Sequence, residues 1–483
     1  MANTSACTLV IFTLGGLSVH SKNEIGVIID SGAEDWQIFQ QDSAGVADIR
    51  LSGRWKTEPD FRSVAVFVRL MNECNNEVVT QALQWRPAET HLDGSWSATL
   101  PAVPSGGLYR IETVLQKDGS PLPWSQRGDM VHHVGVGDIW LITGQSNATG
   151  YGRAPAHDGP ELGLHMFHAR GHWQLASHPL DDSTQTIYPA SREYTNASHS
   201  PWLAFARKLK NALHYPIGLI PASLGGSPLS AWDRATDGHL SENMLRHVKD
   251  AGENVRGAVW YQGESDANPQ AVEEYAERFT RFVADLRKSL GHDQLPVITA
   301  QLNRWTGTGA VNDTVWNAIR ELQRQLPKQI SDVFVVPTAD LGLADGIHNN
   351  SSSNLVIGDR MARVALGAVY GRDIAWRFPE CDKAQLVAAN QIQLSFSHVG
   401  IGLAYDNARV SDLPFAVRDE NGQVGIASWQ LSGPNQITLI LARDLEGQAS
   451  VTGIPGCNPS MIIPHDLDGY RPMLAFTQPV ERE

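Results

Sequence analysis

Cysteine is scarce in this chain, and the scarcity excludes several classes at once. Four cysteines in 483 residues, Cys7, Cys74, Cys381 and Cys457, cannot form a disulfide scaffold, and none has the C-x-x-C spacing of a zinc or redox site. They leave one pairing open, Cys381 with Cys457. Long apolar runs are also missing. The longest near the start, "TLVIFTLGGLSV" from Thr8, is too short to span a bilayer and has no Lys or Arg ahead of it. A first β-strand is favoured there over a signal peptide, and a cytoplasmic location over a periplasmic or secreted one. Basic charge is lacking too: 38 Lys and Arg face 52 Asp and Glu, a net charge of -14. With no basic run, nucleic acid and anionic membranes are poor partners.

Several catalytic signatures are likewise absent. No G-x-x-x-x-G-K-[ST] phosphate loop occurs, and no G-x-G-x-x-G follows a strand. The G-x-S-x-G elbow of α/β-hydrolases is excluded around Ser146, because Ala148 stands where that turn needs glycine. His165, His168 and His172 lie close in sequence but among Met and Phe and without H-E-x-x-H, so no metal site is expected.

What is present has three textures. From about residue 20 to 135, alternating patterns such as "SVAVFVRL" and "GLYRIETVL" between Gly, Pro and Asp clusters predict a β-sandwich-like unit over 1–135. Over 136–372 five compact apolar segments alternate with helical ones: "DIWLITG", "YPIGLIPAS", "VRGAVWYQG", "PVITAQL" and "VFVVPTA". That alternation predicts a doubly wound α/β domain on a five-stranded parallel sheet. In one of its helices Val272, Tyr275, Phe279, Phe282, Leu286 and Leu290 form a single apolar stripe. Over 373–483 short alternating segments return, predicting a second β-rich unit. At 483 residues the chain is long enough for such a three-part division. Trp173, Trp202, Trp232, Trp260 and Trp305 are expected mainly in the core, with one or two lining a pocket.

Ligands in open α/β sheets gather at the carboxyl ends of strands, and four predicted strand ends carry unusual residues. The first ends in "GQSN", placing Ser146 in a tight turn, where the alternative is a helix cap. After the second comes "ASLGGSPLSAW", whose Gly225 and Gly226 let backbone N–H groups approach a ligand. The third gives "WYQGESDA", where Gln262 offers an amide beside Glu264 and Asp266. The two carboxylates are expected to support the turn. The fifth leads into "DLGLADGIHNN", with Asp345 three residues before His348, a candidate base for Ser146. Asp345 could instead cap the helix that follows.

In this order, "GQSN", "GGS", "YQGES" and "DGIH" resemble the motifs of SGNH (GDSL-like) hydrolases, specifically the sialate O-acetylesterase and carbohydrate acetylesterase branch. The resemblance covers mainly 136–372 and implies a flavodoxin-like three-layer α/β/α hydrolase domain with flanking β-sandwich-like units. It implies Ser146 as nucleophile, His348 as base and Asp345 as its orienting partner. The oxyanion donors it implies are the N–H of Ser146 and of a glycine in the 225–226 pair. A third donor in such enzymes is usually asparagine; "YQGESDA" has none, and the resemblance puts Gln262 in its place. Gln145, Asn147 and Glu264 are the implied supporting residues. The implied activity removes O-acetyl groups from carbohydrates through an acetyl-serine, without metal or other cofactor. A glycan-binding protein without catalysis, or a short-chain acyl esterase or thioesterase on non-sugar substrates, is the alternative.

Overall fold

A computed structural model describes residues 25–193, 197–307, 312–406 and 413–482. The apolar run from Thr8 and Cys7 lie outside the described residues.

The centre of the molecule is a parallel sheet built on one long strand, β1 (Gln126–Gly144). Joining it are β2 (Leu164–His168), β3 (His172–Leu175), β4 (Ile217–Pro221), β5 (Gly257–Tyr261), β6 (Val297–Ala300) and β7 (Val333–Val336). Their spatial order is β3-β2-β4-β1-β5-β6-β7. All neighbours pair in parallel except β3, which runs antiparallel to β2 at the edge. The five expected strands are thus all present, and the parallel run β2-β4-β1-β5-β6-β7 has six because "LHMFH" adds β2, while Ile38–Gln40 also pairs in parallel with Gly135–Gly137 of β1. His165 and His168 hide that strand in the sequence, yet both are buried; burial pushes each imidazole down to about 4 and keeps it neutral.

Strands buried on both faces read as continuous apolar runs, and every residue of β4, β5 and β6 is buried. Two groups of helices cover the sheet. One comprises α2 (Trp202–Leu213) and α6 (Ser351–Val364), packed on each other; the other comprises α3 (His239–Ala251), α4 (Pro269–Leu290) and α5 (Asp313–Gln329). A one-turn helix, α1 (Ser146–Thr149), follows β1 directly. In α4 the predicted stripe faces inward: Tyr275, Phe279, Phe282 and Leu286 are buried, with Val272 and Leu290 half-buried at its ends. Asn268 caps this helix by accepting from Ala271 N (3.0 Å), Pro269 opens it, and Gly291 closes it in the left-handed region.

The first half of β1 belongs to the N-terminal β-rich unit. There it pairs antiparallel with Gly106–Lys117, while its second half pairs with β4 and β5. The expected division between 135 and 136 therefore falls inside one uninterrupted strand. Strands Val46–Lys56 and Ser95–Pro104 contribute Ile49, Leu51, Trp96 and Leu100 to a core shared with Val66, Val68, Leu70, Ile111 and Leu115 from the opposite layer. After residue 372 an eight-stranded sheet encloses a separate apolar core. Cys381 and Cys457 do not pair. Cys381 lies in that core, and Cys457, likewise outside any disulfide, packs against the core of the α/β domain.

The C-terminal unit is fastened to the end of β6. Arg320, 1% exposed, donates to the carbonyls of Leu302, Asn303, Ile454 and Gly456, joining the loop after β6 to the C-terminal chain. Gln301 adds a reciprocal pair with Ala475, at 2.8 Å in each direction. No described helix is long and apolar enough to cross a membrane.

Candidate active site

The four singled-out motifs all lie at the carboxyl ends of parallel strands, and hydrogen bonds between their turns bring them together. Gly144 ends β1 with φ +125°, and a Cβ there would stand 2.2 Å from the Tyr261 carbonyl, so glycine permits the close approach of β5. Gln145 then fastens the two turns: its N–H donates to Tyr261 O (2.9 Å), and its side-chain oxygen accepts from the N–H groups of Gly263 (3.4 Å) and Ser265 (3.1 Å). Ser146 opens α1 and is 7% exposed. As the first residue of a helical turn it has an N–H without an intrahelical acceptor.

Asp345 and His348 are joined directly. His348 Nδ1 donates to Asp345 Oδ2 (2.7 Å), while Asp345 Oδ1 accepts from the N–H groups of Ile347 (2.9 Å) and His348 (2.8 Å). With Nδ1 carrying the proton, Nε2 keeps the lone pair a base requires. Partial burial raises the Asp345 carboxyl, but these hydrogen bonds outweigh it and hold the group below its ordinary range, hence ionised. It does not cap α6. That role belongs to Asn350, which accepts from Ser353 N (2.9 Å).

Asn147 ties the serine turn to the histidine loop. Its Nδ2 donates to Glu264 Oε1 (2.7 Å) and to Ile347 O (3.3 Å), and its Oδ1 accepts from Asn349 N (3.0 Å) and Nδ2 (3.1 Å). Ser146's immediate neighbour thus holds both residues flanking His348. Asn349 Oδ1 in turn accepts from Asn303 Nδ2 (2.7 Å), extending the network to the end of β6. Burial raises the Glu264 carboxyl, although the Asn147 hydrogen bond favours its ionised form. Glu264 acts on Asn147, as a support for the turn.

Gln262 requires a correction to the expected oxyanion set. The side chain is fully buried, and its Nε2 donates to Ser227 O (3.3 Å) and to the Asp266 carboxylate. An amide nitrogen has two protons, and both are engaged. Turning the amide over would set oxygen against a carbonyl and a carboxylate. Gln262 therefore braces the turn and presents no donor to Ser146. The Gln262→Ala protein should lose about 2 kcal/mol of stability, the typical cost of stranding buried polar partners, while its kcat per folded molecule stays close to that of the parent. Thermal midpoint and active-site-normalised turnover, measured together, check this.

The glycine loop is anchored beside the serine turn. Ala222 N donates to Ile142 O (2.9 Å), Leu224 N to Gly144 O (3.1 Å), and Thr149 Oγ1 to Ser223 Oγ (3.2 Å). Gly226 has φ +67°, which favours glycine. At Gly225 a Cβ would stand 2.2 Å from the Glu193 carboxylate and would displace that side chain. The Gly225 N–H donates to that same carboxylate, at Oε2 (3.2 Å). Glu193 also accepts from the Tyr151 hydroxyl, and the Tyr151 ring stacks on the His348 imidazole, with centroids 4.9 Å apart and planes at 24°. Neither Glu193 nor Tyr151 carries a sequence signal of its role.

Asp181 is a further residue that only the fold brings here. It is 4% exposed and accepts from Ser223 through both N–H and hydroxyl. Burial pushes its carboxyl up to about 7, against the Ser223 hydrogen bonds, which favour ionisation. A carboxyl raised in the folded state contributes stability that is fully present below the unfolded group's range and lost as pH rises through the folded value. Asp181→Asn should therefore flatten part of the decline in thermal midpoint between about pH 4 and about 7, the window from an ordinary carboxylate to this one. Melting curves of variant and parent across that range provide the check.

The histidines singled out in sequence do not form a metal set. His165 Nδ1 faces Trp36 O (2.6 Å), and His168 stacks on His172. Another group, Asp158, His178 and His199, does bring its donor atoms within 4.8 Å of one another. Ser200 N donates to His178 Nδ1 (3.4 Å), which leaves the ring proton on Nε2, aimed at Asp158 Oδ2 (2.9 Å). Arg207 occupies the other Asp158 oxygen. The arrangement is that of a carboxylate receiving donors, and it ties the loops before α2 to that helix. Of the five tryptophans named above, Trp173, Trp202, Trp232 and Trp260 are buried in the core, and Trp305 is half-buried beside the histidine loop, where Thr306 N donates to Gly346 O (2.8 Å).

Residues 136–367 match the family described as carbohydrate esterase, sialic acid-specific acetylesterase. A probable carbohydrate esterase of Arabidopsis thaliana is 26% identical over 273 residues, 51% of this chain and 97% of that protein. Human sialate O-acetylesterase is 25% identical over 237 residues, covering 40% of this chain and 44% of that enzyme's length. The crystal structure of a carbohydrate acetylesterase from Xanthomonas citri shares the fold over 93% of this chain and 99% of its own, with a TM-score of 0.64 at 20% identity. That fold includes the flanking β-rich units. Residues 136–367, just under half of the chain, thus form a domain matched by the carbohydrate esterase, sialic acid-specific acetylesterase family.

Proposed function

We propose that this protein is a serine esterase that removes O-acetyl groups from carbohydrates through an acetyl-serine intermediate. The observation that carries the reading is the Asp345–His348 pair held against the Ser146 turn by Asn147 at the carboxyl edge of the sheet. A serine hydroxyl is a weak nucleophile until a base takes its proton. His348 Nε2 is the base, and Asp345 keeps the imidazole in the accepting tautomer and stabilises the cation that forms. Attack on the acetyl carbonyl forms the Ser146 Oγ–carbon bond and puts negative charge on the carbonyl oxygen. The N–H groups of Ser146 and Gly225 are the proposed donors to that oxygen, each worth on the order of 3 kcal/mol when preorganised. Collapse expels the sugar alcohol, which takes the proton from His348. Water, deprotonated by the same histidine, then releases acetate and restores the serine.

Two further features support the assignment. The Asp345 carboxyl is held ionised, as an orienting partner must be, and the Tyr151 ring lies over the imidazole and limits its rotation. Acetate release from a panel of acetylated glycans, with O-acetyl sialic acid and neutral acetylated oligosaccharides side by side, tests the reading. Release from at least one glycan that disappears in Ser146→Ala supports it. Release only from longer-chain acyl esters or thioesters replaces it with a lipid-type esterase, and no release from any ester replaces it with a glycan-binding role.

A further inference from the structure

The Gly225 N–H, proposed above as an oxyanion donor, already has an anion on it. Glu193 Oε2 lies 3.2 Å away as acceptor, and its partner oxygen is held by the Tyr151 hydroxyl. The glycine side of this contact is fixed, because Ala222, Ser223 and Leu224 are bonded to Ile142, Asp181 and Gly144. The Glu193 main chain is also anchored, with its N–H donating to Ser183 Oγ (3.0 Å). Between the two anchors only the glutamate side chain has rotamers to exchange.

We infer that Glu193 gates the oxyanion position: its carboxylate occupies the place of the ester's carbonyl oxygen at Gly225 and must leave before productive binding. This rests on the proposed roles of Ser146 and Gly225. An N–H donor aimed at an incoming oxyanion attracts any carboxylate within reach, and Glu193 is within reach by tether. Were the carboxylate to stay while charge develops on the ester oxygen, like-charge repulsion would oppose the reaction. Displacement is therefore part of substrate entry, and only the open fraction of molecules is competent at any moment. Tyr151 links the gate to the base, since the phenol that holds Glu193 also carries the ring stacked on His348. The same position is where product acetate would sit, so Glu193 and acetate compete for one donor.

The test uses the full-length protein and its Glu193→Ala and Glu193→Gln variants, with 4-nitrophenyl acetate as substrate and sodium acetate as inhibitor. Removing the gate should raise kcat/KM on the order of 3- to 10-fold, the inverse of the open fraction. Acetate should inhibit the Ala variant at a correspondingly lower concentration. Gln, which keeps the length but not the charge, should fall between parent and Ala. Unchanged kcat/KM with unchanged acetate inhibition overturns the inference. A fall in kcat/KM through KM alone also overturns it and makes Glu193 a substrate-binding residue. If the parent itself hydrolyses no ester, the esterase reading fails separately. Acetate binding followed by NMR titration then decides the gate, which stands if the Ala variant binds acetate more tightly and falls if it does not.

Discussion

The Ser146→Ala protein is expected to melt within about 2 °C of the parent, a shift of about 1 kcal/mol at most for a domain of this size, and to release acetate at least about 10³-fold more slowly. The fold should survive because no described element depends on the hydroxyl: the turn is held by Gln145 and Asn147, and the helix begins with main-chain bonds to Gln145 O. Activity should not, because attack needs an oxygen nucleophile at that position. Near-parental turnover by the purified variant would remove Ser146 from the mechanism.

For His348→Ala a loss of the same order is expected, and the double variant should be no slower than either single one. Residues that act as a unit lose their joint effect when any member is removed. The structural cost should be small, since Asp345 Oδ1 retains its two backbone donors when the imidazole is gone. Single-turnover kinetics on 4-nitrophenyl acetate check the comparison. A double variant slower than either single one by the product of their separate losses would show that serine and histidine act independently and would overturn the pairing.

Legibility in the sequence followed the range of the interactions concerned. β4 and β5 were readable because a strand buried on both faces must be apolar throughout, and α4 because its stripe repeats at helical spacing. The three-residue spacing of Asp345 and His348 is local too, but it leaves a helix cap and a pairing both open; the resemblance implies the pairing, and the hydrogen bond between them shows it. Partner choice is not legible locally. The resemblance puts the Gln262 amide on the ester oxygen, in place of the usual asparagine. The fold instead sets Ser227 O and Asp266 around the amide, and a buried nitrogen bonds to what surrounds it. Strand β2 is hidden in the sequence because two histidines interrupt its apolar pattern, and the fold alone sets His165 on Trp36 O and His168 against Arg170 N and the His172 ring.

By itself, then, the sequence determined the alternation of apolar strands and amphipathic helices, the strand ends where Ser146, the 225–226 glycines and His348 would stand, and the short spacing that keeps Asp345 within reach of its histidine. Each depends on periodicity or on neighbours within a few residues. Only the tertiary structure decided that one 19-residue strand serves both the N-terminal unit and the catalytic sheet, that Cys381 and Cys457 belong to different cores, and that Asn147 clasps the histidine loop 202 residues away. It also decided that Glu193 lies on Gly225, 32 residues distant. These contacts join segments that approach one another only after the sheet has taken its order, so no local pattern in the chain encodes them.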